Sequence, residues 1–209
     1  MIKKRAVFID RDGTINEDVG FPNDFSQINI YSYSFTAVRK LNRAGLLAVI
    51  ITNQSGIGRG FLTEQNLHDI HQKMKVVFAK QNACFDGIYY CPHYLSSSNP
   101  LYRKDCSCRK PNPGMALHAA SALNIDLNNS YMIGDKVEDM LFGLNINAIP
   151  VLVLTGFGKK SLTKLNELDI TLPYVAQTLL DAVNWILRRE NFDSSSMNDK
   201  NSLNLKTKT

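Results

Sequence analysis

The chain carries a series of short apolar runs, each of which stops abruptly at a polar residue. Ala6-Val7-Phe8-Ile9 runs into Asp10, and the six residues 46–51 run into Thr52. Ile88-Tyr89-Tyr90 runs into Cys91, and Tyr131-Met132-Ile133 into Gly134-Asp135; residues 151–154 form a further run. Runs of this length without alternating polarity are strands buried on both faces. Between them lie helical periodicities: Phe35, Val38 and Leu41 closed by Gly45; Leu67, Ile70, Met74, Val77 and Phe78 behind Thr63 as N-cap; Met115, Ala119, Ala122 and Leu123 after Pro113; Met140, Leu141 and Leu144; and Leu179, Leu180, Val183, Ile186 and Leu187. Alternating strands and helices predict an α/β fold: a doubly wound, Rossmann-like parallel sheet with helices on both faces and no large cap domain.

Such sheets bind ligands beyond the carboxyl ends of their strands. Asp10, Thr52, Cys91 and Asp135 are therefore expected to converge on one crevice. The 209 residues suit one domain over residues 1–190, and the Ser-, Asn- and Lys-rich residues 191–209 read as a disordered tail. No apolar run nears the roughly 20 residues that span a bilayer. The basic start, Met1 to Arg5, precedes only four apolar residues, against the roughly 7–15 of a signal peptide. A cytoplasmic location is expected. The net charge of +5 is scattered rather than gathered in a basic arm, and it selects no partner.

Asp10-Arg11-Asp12-Gly13-Thr14 sets two carboxylates two residues apart where a strand becomes a loop. Phosphoryl transfer needs a nucleophile, a proton for the leaving oxygen and a metal to balance charge. Asp10 can attack to give an aspartyl-phosphate, while Asp12 gives a proton to the departing alkoxide and takes one from the hydrolytic water. On the pentapeptide alone an Asp-rich turn is nearly as good a reading. Gly134-Asp135-Lys136 repeats the arrangement after another strand, so Asp10, Asp135 and the Asp12 backbone carbonyl suit magnesium, with Asp139 outside the ligand set. Thr52-Asn53-Gln54-Ser55-Gly56 offers hydroxyl and amide donors, and Lys110 a positive charge, to phosphate oxygens.

Cys91-Pro92-His93 and Cys106-Ser107-Cys108 bracket a polar loop. Three thiolates and an imidazole make the closed tetrahedron of a structural zinc site, which would pin Arg109 and Lys110 for phosphate binding. Cys84 lacks a partner and is expected to be a small buried apolar residue. His68, His71 and His118 read as ordinary helix residues.

These segments, in this order, resemble the haloacid dehalogenase-like phosphatases, with an Asp-x-Asp-Gly-Thr loop, a Ser/Thr strand end, a Lys and a Gly-Asp pair. The zinc loop and Cys108-Arg109-Lys110-Pro111 are similar to the branch that contains heptose 1,7-bisphosphate 7-phosphatases and histidinol phosphatases. The long zinc loop, Ser55-Gly56-Ile57-Gly58-Arg59-Gly60 and Gly134-Asp135-Lys136 are more similar to the heptose side. The resemblance implies Asp10, Asp12, Thr52 and Lys110 as catalytic, and Asp10, Asp12 and Asp135 as magnesium ligands. It implies substrate contacts by Arg11, Asp18, Gly20, Phe21, Asn53, Gln54, Ser55, Arg109 and Lys136, although Phe21 stands where a Tyr is usual. The expected substrate is a small phosphorylated sugar whose product feeds lipopolysaccharide assembly, handled by a monomer without nucleic-acid or membrane partners. Histidinol phosphate is the rival substrate. A catalytically dead, zinc-containing nucleic-acid-binding module is the distant alternative, disfavoured because no aromatic-basic alternation appears.

Overall fold

The structure, a computed structural model, describes residues 2–190. The predicted tail, 191–209, lies outside the described residues. Among the described residues six strands run in chain order as β1 (Ala6–Ile9), β2 (Leu47–Asn53), β3 (Gly87–Cys91), β4 (Tyr131–Gly134), β5 (Ile149–Val153) and β6 (Tyr174–Ala176). All are paired in parallel, in the order β3-β2-β1-β4-β5-β6. The expected doubly wound sheet is present.

β1 shows why its sequence has no polar alternation. Val7 and Ile9 pack on one face with Val38 and Leu41 of α1 (Ser32–Arg43), Ile70 and Met74 of α3 (Glu64–Ala79, which follows the single turn α2, Ser55–Gly58), and the helical stretch 179–190. Ala6 and Phe8 pack on the other with Met115 and Ala119 of α4 (Gly114–Leu123) and Phe142 of α5 (Val137–Asn145). Phe8 meets Phe142 edge to face, with centroids 6.4 Å apart. Burying such a side chain contributes about 1.5–3 kcal/mol. At the amino end of α3, Thr63 Oγ1 accepts from Asn66 N, and Asn66 Oδ1 accepts from Thr63 N. This is the expected N-cap.

Two elements had no clear sequence signal. Helix α6 (Gly158–Glu167) is mostly polar and buries little beyond Ser161 and Leu165, and β6 is three residues long. Cys84 departs from expectation. It is exposed, because Asn82 turns the chain at φ 53° and the adjacent Ala83 takes the buried position. Among the described residues no helix is long and apolar enough to cross a membrane.

β1 and β4 are neighbours, yet the chain leaves β1 towards β2 on one side and β4 towards β5 on the other. This divergence opens a crevice at their carboxyl ends. Asp10 and Asp135 follow these two strands directly, and Asp10 N donates to Ile133 O at 2.9 Å.

Candidate active site

Carboxylate oxygens of Asp10, Asp135 and Asp139 lie within 4.8 Å of one another, all on buried residues. Lys110 reaches into the group, its Nζ 2.7 Å from Asp10 Oδ1, 2.6 Å from Asp139 Oδ1 and 2.9 Å from Ile51 O. Asp135 Oδ2 accepts from Phe157 N at 2.7 Å, whereas the buried Asp135 Oδ1 has no hydrogen-bond partner. Gly13, at φ 89°, and Gly156, at φ 54°, both press their backbones against this carboxylate, and a Cβ at either position would collide with Asp135 Oδ2.

Burial raises Asp10 to about 6, with Asp139 adding to the shift and Lys110 opposing it. Asp135 rises to about 8, from burial and then from repulsion by Asp10 and Asp139. Burial works against the charge on Lys110, but its two carboxylate partners hold its pKa above the ordinary value. The cluster therefore has an excess of negative charge and a buried Asp135 oxygen without a hydrogen-bond partner among the described residues. A hard divalent cation fits that donor set.

Asp12 turns a different way. Its Oδ1 accepts from Arg11 Nε and Asn16 Nδ2, each at 3.0 Å, and its Oδ2 from Arg11 Nη2 and Gln54 Nε2, each at 2.8 Å. Burial would raise its pKa, but the Arg11 charge and these donors bring it below the usual carboxylate value. Arg11 corrects an expectation. It is fully buried and does not line the cleft, because its guanidinium is spent on Asp12 and on His71, which faces Nη1 at 3.2 Å.

The other expected substrate residues do line the cleft, which encloses about 280 Å³: Asp18, Gly20, Phe21, Asn53, Gln54, Ser55, Arg109 and Lys136, together with Asp10, Asp12, Thr52 and Lys110. Across it Lys136 Nζ bridges to Asp18 Oδ2 at 3.0 Å. At the rim Phe21 stacks on Phe61 with centroids 4.8 Å apart, and the Arg59 guanidinium sits 3.8 Å from the Tyr94 ring centroid.

Cys91, His93, Cys106 and Cys108 form a second group whose ligand atoms lie within 4.8 Å. Cys108 Sγ is 3.1 Å from both Cys91 Sγ and Cys106 Sγ and 3.2 Å from His93 Nδ1. A tetrahedral zinc with bonds of about 2.3 Å sets sulfurs ~3.7 Å apart, so the quartet needs only slight expansion to hold one. Three successive carbonyls, from Cys91 to His93, hold two cleft residues, Gln54 and Arg109, and the neighbouring Gly58. Cys91 O accepts from Gln54 N at 2.8 Å, Pro92 O from Gly58 N at 3.1 Å and His93 O from Arg109 Nη1 at 3.3 Å.

The HAD-hydrolase-like family profile matches residues 107–182. The D-glycero-beta-D-manno-heptose-1,7-bisphosphate 7-phosphatase of Pasteurella multocida is 42% identical over 182 residues, spanning 84% of this chain and 98% of the relative. The chain belongs to this phosphatase family. The Vibrio cholerae member is likewise 42% identical, over 88% of this chain and 97% of its own. The crystal structure of D,D-heptose 1,7-bisphosphate phosphatase from B. bronchiseptica, complexed with magnesium and phosphate, superposes with a TM-score of 0.77. It is 30% identical and covers 88% of this chain and 99% of that one.

As a member of the heptose-bisphosphate phosphatase family, the protein is a phosphoric monoester hydrolase of haloacid dehalogenase-like type. Two cleft residues, Glu138 and Phe157, were not among the expected site residues. Asp139, expected outside the metal ligands, has its carboxylate in the acidic cluster, paired with Lys110. It lies in the first turn of α5 and is buried there, its Oδ2 accepting from Lys136 N at 3.0 Å. Phe157 had no signal, since it is the residue just before the unexpected α6.

Proposed function

We propose that the protein hydrolyses the 7-phosphate of D-glycero-D-manno-heptose 1,7-bisphosphate, giving heptose 1-phosphate for lipopolysaccharide core assembly. The observation that carries this reading is 42% identity along 98% of an enzyme bearing that name, with the expected catalytic side chains gathered in one cleft. Asp10 attacks phosphorus, the ester P–O bond breaks, and the aspartyl-phosphate forms. Asp12 gives its proton to the leaving alkoxide, then takes one from the water that cleaves the acyl phosphate. The four donors on Asp12 favour its ionised form. An arriving phosphate dianion opposes that by like-charge repulsion and helps Asp12 to carry the proton. Thr52 and Lys110 hold the transferring oxygens, while Arg109 and Lys136 offer charge to the rest of the substrate.

Asp10, Asp135 and the Asp12 backbone carbonyl would hold Mg2+, which when bound neutralises charge on the phosphoryl oxygens. Asp139 stays with Lys110 and fixes that ammonium. Gly13→Ala is expected to weaken Mg2+ binding by at least about tenfold, since the added methyl must displace the Asp135 carboxylate. Titrating Mg2+ against activity checks this; an unchanged half-saturation would contradict the ligand role of Asp135. Cys91, His93, Cys106 and Cys108 hold a structural Zn2+. Residues 1–190 act as one catalytic domain, as a monomer in the cytoplasm, without nucleic-acid or membrane partners.

Side-by-side turnover of heptose 1,7-bisphosphate, its β anomer first, and histidinol phosphate tests the substrate assignment. The heptose ester is expected to have the higher kcat/KM, by at least about 100-fold, the scale that pocket shape alone supplies before hydrogen-bond discrimination adds to it. Preference for histidinol phosphate overturns the assignment but not the phosphatase chemistry.

A further inference from the structure

His71 has no part in the reaction described above, yet it is buried in α3 with its imidazole against the guanidinium behind Asp12. Arg11 is a fully buried cation whose Nε and Nη2 are taken up by the two oxygens of Asp12. Its remaining edge, Nη1, has His71 Nε2 at 3.2 Å. An arginine only donates, so Nε2 must offer its lone pair, and the ring proton must sit on Nδ1. Burial, and then the Arg11 charge, hold the His71 pKa down at about 3, in accord with a neutral ring.

A guanidinium has a rigid planar fork, so fixing one edge fixes the other. We propose that His71 is a positioning residue for the reaction, which sets the plane of Arg11 and through it the orientation of the Asp12 carboxylate towards the leaving oxygen. The inference rests on reading Asp12 as the acid/base. The chain of contacts is short and specific: His71 Nε2, Arg11 Nη1, Arg11 Nε and Nη2, Asp12 Oδ1 and Oδ2. Asn16 and Gln54 each contribute one bond to Asp12, but only Arg11 grips both oxygens. With His71 removed, the buried Nη1 loses its acceptor and the fork is free to rotate.

The test separates positioning from packing by the leaving group. A sugar alkoxide needs its proton in the first step, whereas p-nitrophenolate leaves without one. In single-turnover phosphorylation of Asp10, His71→Leu is expected to slow the sugar ester by about tenfold, part of the 10²–10⁴ that general acid catalysis supplies, and p-nitrophenyl phosphate by less than about threefold. KM for the sugar ester stays within about twofold. His71→Gln, whose Oε1 can accept from Arg11, is expected to restore most of the rate. Equal slowing of both esters, or no slowing of either, overturns the proposal.

Nitrogen NMR of the unsubstituted protein provides a check that does not depend on a folded variant. A neutral ring protonated on Nδ1 is expected, and a ring protonated on Nε2 overturns the idea. Asp12→Asn is the control for the underlying reading. If it turns over the sugar ester normally, Asp12 is not the acid/base and the role of His71 falls with it. If it is inactive while His71→Leu is normal, only the present proposal fails.

Discussion

Asp10→Asn is expected to lower turnover of the sugar phosphate by at least about 10⁴-fold, the scale seen when a covalent nucleophile is removed, and yet to raise the melting temperature. The amide still accepts from Lys110, but it cannot attack phosphorus to give an acyl phosphate. Stability moves the other way because the folded protein disfavours this charge. Asp10 is raised from 3.8 to about 6. An acid that binds its proton more tightly when folded destabilises the fold above both pKa values, hence at pH 7. The neutral amide removes that penalty, of order 1–3 kcal/mol. For a chain of this size each kcal/mol moves the melting temperature by about 2–4 °C. The measurement belongs in magnesium-free buffer without chelator, so that the cysteine cluster is undisturbed. Residual turnover near normal would remove Asp10 as nucleophile, and a lower melting temperature would mean that repulsion in the acidic cluster is not a real cost.

Cys108→Ser should abolish zinc binding at the proposed site and lower kcat/KM by about 10²-fold, the usual penalty for displacing a reactive group by roughly 1 Å. Arg109 and Lys110 follow Cys108 directly, and Lys110 is the cation that holds Asp10 and Asp139. The carbonyls of Cys91, Pro92 and His93 additionally secure Gln54, Gly58 and Arg109. Releasing the loop should therefore disturb both walls of the cleft at once. Metal analysis beside steady-state kinetics decides it. Full activity in protein shown to contain no zinc would sink the proposal that the loop is a metal-held brace.

The sheet and most of the cleft were legible because their signals are local. β1, β2 and β4 announce themselves as apolar runs, and the polar residues that end them must meet at one edge of a parallel sheet. The cysteine–histidine quartet was legible because two close pairs flank a single loop. Arg11 was misread as a substrate contact through its neighbours. Period-two alternation carries Asp10 and Asp12 to the cleft and sends the side chain between them behind it, a signal that was available. His71 sits among Leu67, Ile70 and Met74 on the buried stripe of α3, where it resembled packing. Only its three-dimensional proximity to Arg11 distinguishes it. α6 and β6 were hidden by polarity and brevity, and Phe157, the residue that leads into α6, was hidden with them.

The pinch of Gly13 and Gly156 on Asp135 divides the protein into regions of unequal freedom to change. The floor of the cleft is made of main chain pressed on a carboxylate, so it tolerates no new atoms and ties the chemistry to one arrangement. Phe21, Phe61 and Tyr94, by contrast, come from three separate loops; Phe21 stacks on Phe61, and the Arg59 guanidinium lies against both Phe21 and Tyr94. A descendant of this chain could acquire a different alcohol as its leaving group by altering those loops alone, keeping the same engine beneath.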